Sequence, residues 1–279
     1  MIKLVLKFSF AGGLLYWLIQ KGDLDFAMAG KALTENPELV LGVILMIAFS
    51  AIGTAYRWKI LLEIKSKPLP FGEVVKLNWI GLFFSSILPG AVTGDLVKAV
   101  YAKKLDDRLT KTYLLMSTLV DRVIGLIGLL FLLGIFTLFN YEDLITISPQ
   151  MENLVHVNFF LLAGSLGFFA TLFMPKNLKT LFLRLTDKIP FIGHQIEKIL
   201  AQIWAMGENK KTILKCLLMS MVFQANNVCA IYYISKPFFD STLSLGKAFT
   251  FVPLGLIATA VPISPAGMGV GHAIFGTKC

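Results

Sequence analysis

Phe84-Ser85-Ser86-Ile87-Leu88-Pro89-Gly90-Ala91-Val92-Thr93-Gly94-Asp95-Leu96-Val97-Lys98 breaks an apolar run that starts at Val74. From Val74 to Leu88 the run has 15 residues. As helix that is about 22 Å, too short for a comfortable crossing of a hydrocarbon layer of about 30 Å. Proline then removes a backbone donor and glycine frees the chain to turn. The stretch therefore reads as the break of a re-entrant helical hairpin over residues 72–100.

Charge on either side supports the same reading. Lys and Arg number two in residues 21–38 (against four acids), five in 57–76, five in 96–112, none in 140–156 and eight in 175–215. Positive loops face the cytoplasm. The eight and the zero orient the span between them, and working back places 96–112 inside. Residues 57–76 are equally basic, and both loops share a side only if the intervening segment does not cross. The N-terminus, with Lys3 and Lys7, then also lies inside, in a multi-pass protein of the cell inner membrane.

Composition agrees. The 279 residues are 56% hydrophobic and 15% charged, with mean hydropathy +0.73. Soluble domains carry about 25% charged residues. The apolar runs are continuous rather than alternating, which excludes an outer-membrane barrel. Helices satisfy their own backbone in lipid. The runs are Leu4–Ile19, Leu39–Tyr56, Val74–Leu88, Tyr113–Phe139, Val157–Met174, Ile213–Ser235 and Ala248–Ile263. The expected fold is all-α: one integral membrane domain over 1–279, a polytopic bundle of about six spanning helices plus two re-entrant hairpins. Leu4–Ile19 reads as the first span, although Ala27-Met28-Ala29 also matches a signal-peptidase pattern.

The second hairpin is expected near 246–275. Like the first, it starts at a glycine (Gly246), runs apolar for a short helix and breaks at Pro262, Pro265, Gly267, Gly269 and Gly271, as the first breaks at Pro89, Gly90 and Gly94. Two broken helices of opposed entry suggest the inverted repeat of transporters, with a site where they meet. Chance similarity of two Pro/Gly breaks is the competing account. Between the fifth and sixth runs, residues 176–211 form a cytoplasmic loop. Its Phe191, Ile192, Ile196, Ile199, Leu200, Ile203 and Trp204 recur at helical spacing, predicting an amphipathic helix at the membrane surface.

Polar chemistry concentrates in three places. Asp95 and Lys98 stand three apart after the first break. They line a polar cavity for a headgroup or ion, or else they cap a cytoplasmic helix. Asp121 and Arg122 lie some ten residues into the fourth run. That is near mid-membrane if the helix enters at Lys111, where charge must be paired or hydrated, and interfacial if it enters at Asp121. Ser220, Gln224 and Asn227 form one stripe of the sixth run, either bonding helix to helix or lining a substrate path.

Other function classes find little support. The net charge of +9 follows from loop placement rather than from nucleic-acid binding. His156, His194 and His272 are dispersed, Cys216, Cys229 and Cys279 have no metal spacing, and no HExxH, Walker or nucleophile-elbow motif occurs. No cofactor, metal or catalytic constellation is expected, and the chain does not read as an enzyme.

Taken together, Arg57-Trp58-Lys59, Phe84 to Asp95, Asp121-Arg122-Val-Ile-Gly125-Leu and Pro262 to Gly271 resemble the lysylphosphatidylglycerol synthase transmembrane-region family. The resemblance covers essentially the whole chain. It implies a flippase-like protein that acts on membrane lipids, since a related module moves an aminoacylated phospholipid between leaflets. Relatives adjoining glycosyltransferase modules suggest the alternative, a non-transporting membrane partner of a glycolipid- or phospholipid-synthesising enzyme. His272 stands where members often carry glutamate, and the chain resembles a C-terminally truncated member. On the flippase reading, Asp95, Lys98, Asp121 and Arg122 contact the headgroup, and Ser220, Gln224 and Asn227 form a polar wall.

Overall fold

The computed structural model describes residues 26–87, 93–146, 149–175, 178–180, 193–236 and 244–260. Its elements, in chain order, are α1 (Phe26–Glu35), α2 (Pro37–Leu62), α3 (Phe71–Ile87), α4 (Thr93–Ala102), α5 (Lys111–Phe139), α6 (Tyr141–Ile145), α7 (Pro149–Leu172), α8 (Gly193–Gly207), α9 (Lys210–Ser235) and α10 (Leu245–Ala260). The described residues contain no strand, and the protein is all-α. Four described helices are long and apolar enough to cross a membrane: Pro37–Leu62, Lys111–Phe139, Val155–Leu172 within α7, and Lys210–Ser235. The run Leu4–Ile19 and the break residues Pro89, Gly90, Pro262, Pro265, Gly267, Gly269 and Gly271 lie outside the described residues.

Local sequence sets the helix ends. Pro37 opens α2, where its missing N–H is no loss. Thr110 caps α5, its hydroxyl accepting the Tyr113 N–H at 3.2 Å. One flank of α2 exposes Leu41, Ile44, Leu45, Phe49 and Ile52, a surface suited to lipid rather than water.

The bundle is built on α5. It touches α2, α4, α7, α8, α9 and α10, while α9 packs along α2 and α3 packs along α4. The larger core gathers where α2 ends and α3, α5 and α9 begin, around Trp58, Leu61, Leu62, Val74, Leu114, Ile124 and Ile213. A smaller cluster joins α9 to α10, with Phe136 of α5 stacked on Phe249 at 4.4 Å. The amphipathic helix predicted within 176–211 is α8. Part of its apolar face is taken up by the bundle, where Ile203, Trp204 and Met206 are buried and α8 packs on α5 and α7.

The first hairpin is a pair of helices in close contact. A Cβ on Gly94 would overlap the Gly81 carbonyl oxygen and the Ser85 hydroxyl, so α3 and α4 approach at near-backbone distance. The loops flanking the pair also touch each other. The Asp106 carboxylate accepts the Lys67 N–H at 3.0 Å and the Arg108 N–H at 2.8 Å, and these backbone bonds hold its pKa below the ordinary carboxylate value. Tyr113 donates to the Leu61 carbonyl at 2.6 Å. The chain thus leaves α2 and re-enters α5 at one end of the bundle, with α3 and α4 between.

Candidate functional site

Arg57 lies on α2 five residues before its end at Leu62. Its guanidinium meets Asp121 of α5 in a two-point pair, Nε to Oδ1 at 2.7 Å and Nη2 to Oδ2 at 3.1 Å. Both residues are buried, at 5% and 7% exposure, so each requires the other's charge. Gly125, one turn after Asp121, lies against the guanidinium, and a Cβ there would make an ordinary contact 3.5 Å from Nη2.

Asp95, in the first turn of α4, joins the second half of the cluster. Its carboxylate takes Lys98 Nζ at 3.0 Å on one oxygen and Arg122 Nε on the other. Lys98 is buried at 6% exposure, with its ammonium 4.6 Å from the centre of the Trp58 ring. Trp58 is itself fully buried and donates from Nε1 to Ser117 Oγ at 3.2 Å. Arg122 stands at the exposed rim.

These five charged residues and Thr54, Asn78, Gly81, Leu82 and Ser85 line a cleft of about 220 Å³ between α2, α3, α4 and α5. At about 30 Å³ per water, that holds roughly seven waters, the scale of a polar headgroup rather than a whole lipid. Three cations, Arg57, Lys98 and Arg122, against two carboxylates, Asp95 and Asp121, leave a formal surplus of one positive charge. Asn78 is fastened at the wall, its Nδ2 donating to the Ala51 carbonyl at 3.1 Å.

Asp95, Lys98, Asp121 and Arg122 are therefore brought together in one cleft. Arg57 is the member that sequence reasoning missed. It closes an apolar run and counted as a loop charge, yet the helix continues past it and the side chain is buried. Lys98, counted in the next loop, is buried as well, so each basic loop loses one cation and the two remain balanced. The available signal was that Arg57 needs a buried anion once its helix runs on to Leu62.

The stripe on α9 lies elsewhere. Gln224 Nε2 and Ser220 Oγ both point at the Gly125 carbonyl of α5, at 3.2 and 3.5 Å, and neither lines the cleft. Their neighbour Asn226 donates to the Met46 carbonyl at 2.7 Å and to Ser50 Oγ at 2.9 Å on α2. Asn227 is half-buried and does not join the cleft. Gly94 sits at the α3–α4 crossing, next to the cleft residues Gly81 and Ser85. Among the described residues no group of His, Cys, Asp and Glu could hold a metal ion.

Comparison with known proteins adds the lineage. A membrane protein of Pyrococcus horikoshii, UPF0104 membrane protein PH1989, is 22% identical over 259 residues, which cover 84% of this chain and 74% of that protein. No solved structure matches significantly. The model of the lysylphosphatidylglycerol synthase TM region matches residues 4–277. With its long apolar helices and that match over nearly its whole length, the chain is a multi-pass membrane protein of the lysylphosphatidylglycerol synthase transmembrane-region family.

Proposed function

We propose that the protein is a flippase-like membrane protein of the cell inner membrane, N-terminus in the cytoplasm, that binds or moves a phospholipid or lipid-linked headgroup at the Arg57–Asp121–Asp95 cleft. The observation that carries this reading is a charged cleft, with one surplus positive charge, inside a largely apolar bundle. Ionisable groups at such positions are costly and face one another or a polar path. Arg122 at the rim would meet a headgroup first, while Lys98 and the Arg57–Asp121 pair form the base of the cleft. The acyl chains would stay in the surrounding lipid. Membrane lipid is then the partner, and the protein performs no bond-making chemistry of its own.

The test is lipid redistribution in vesicles reconstituted with the full chain, read with fluorescent phospholipids and dithionite quenching. Asp95→Asn and Arg122→Gln should each slow movement at least tenfold while leaving the purified protein folded. Redistribution at the wild-type rate in both variants would refute the cleft as the path. Absence of movement with wild-type protein, together with co-purification of a lipid-modifying enzyme, would support the non-transporting alternative.

A further inference from the structure

A second concavity, separate from the charged cleft, runs along the outer face where α2 meets α9. Its volume is about 940 Å³, and its walls include Phe49, Ile52 and Tyr56 of α2 and Leu214, Leu218 and Val222 of α9. Only Lys211 and Lys215 bring charge to it. Lys211, Lys215, Leu218 and Val222 follow one another at helical spacing, so the two lysines share one end and the apolar walls continue from them. From Lys211 to Val222 the helix rises about 16 Å, half of a hydrocarbon layer of about 30 Å. The groove is therefore as deep as one leaflet.

Charge specifies what fills it. Neither lysine forms an ion pair with a described residue, and α9 has no acid in its first turn. The nearby acids do not line the groove: Glu208 precedes the helix, and Glu73 is paired with Lys76 at 2.7 Å. Lys215 Nζ stands 5.4 Å from the centre of the ring of Tyr56, which also lines the groove. A second copy of the chain fits poorly. Copies in one bilayer share an orientation, so a two-fold contact on this face would put each lysine pair at the depth of its counterpart.

We infer that this groove is a binding site for an anionic phospholipid, one acyl chain lying between α2 and α9 and the phosphate against Lys211 and Lys215. The inference concerns a different surface from the headgroup cleft and stands without it. A lipid held here would fill the α2–α9 face beside Gly53, where the helices pack so closely that a Cβ would overlap the Phe223 ring.

The experiment is native mass spectrometry of the full chain in neutral detergent, titrated with dioleoyl phosphatidylglycerol or dioleoyl phosphatidylcholine. Each cation near an anionic headgroup adds about a fivefold gain. The double variant Lys211→Gln/Lys215→Gln should therefore lose about thirtyfold in phosphatidylglycerol binding and little in phosphatidylcholine binding. Leu218→Trp, which fills the groove, should weaken both. A phosphatidylglycerol carrying a mid-chain diazirine should label residues in 49–56 and 214–223. Equal binding of the two lipids, an unchanged double variant, or adducts confined to other segments would overturn the inference. Efficient disulfide dimers of Leu218→Cys in the membrane would instead give this face to a second copy. Adducts in 214–223, a segment that lines this groove and contributes nothing to the charged cleft, separate the result from the fate of that cleft.

Discussion

Replacing Asp121 by asparagine tests the physical basis of the cleft. The substitution keeps the side-chain shape and removes the charge that faces Arg57 at 2.7 and 3.1 Å. With charge centres about 4 Å apart and an effective dielectric near 20, the attraction is about 4 kcal/mol. The uncompensated guanidinium would remain at 5% exposure, and loss of one partner of a buried pair costs about 3–5 kcal/mol. At about 2 °C per kcal/mol for a chain of this size, the unfolding midpoint in detergent should fall by about 6–10 °C. Arg57→Met/Asp121→Leu removes both charges and should recover to within about 1 kcal/mol of wild type, since a buried pair and its apolar replacement are often nearly equivalent. Thermal unfolding followed by intrinsic fluorescence measures all three proteins. A single variant displaced by less than about 2 °C, or a double variant no more stable than the single, would refute the claim that the two charges are mutually dependent. If the double variant is stable but no longer moves or binds lipid, the pair serves the headgroup as well as the fold.

Three further outcomes follow from individual contacts. Gly94→Ala forces a methyl into the Gly81 carbonyl and Ser85 hydroxyl and should cost about 1–3 kcal/mol, whereas Gly72→Ala, with nothing within 4 Å, should cost nothing in the same unfolding assay. Asp106 has a folded pKa depressed below 3.8, so its contribution is present above that value and disappears as pH falls through the folded pKa. Urea or thermal titrations of wild type and Asp106→Asn should therefore differ by a constant amount near neutral pH and converge in acid below about pH 4. Gln224→Leu removes the bond to the Gly125 carbonyl and should lower stability by about 0.6 kcal/mol, the average of interhelical bonds in membranes, with the steric fit of Gly128 against Ser220 still holding α9 to α5.

The hydropathy of this chain determines an all-α membrane protein, because long unbroken apolar runs have no other way to satisfy their backbone in lipid. The apolar run that stops before Pro89 predicts the boundary between α3, which ends at Ile87, and α4, which starts at Thr93, and the separated motifs carry the family resemblance. Asp95, Lys98, Asp121 and Arg122 are legible as unusual residues for the same reason: charge near apolar helices is conspicuous. Which charge meets which is decided only by tertiary structure. Asp121 and Arg122 are neighbours in sequence but stand about 100° apart around their helix, so they cannot share a partner face. Packing gives Asp121 to Arg57 of α2 and Arg122 to Asp95 of α4, contacts that span 64 and 27 residues. The stripe of Ser220 and Gln224 was visible by spacing, but its direction came from the close fit of α9 on α5. Periodicity records that a face is polar, and only the neighbouring helix determines whether that face meets a carbonyl, a cleft or lipid.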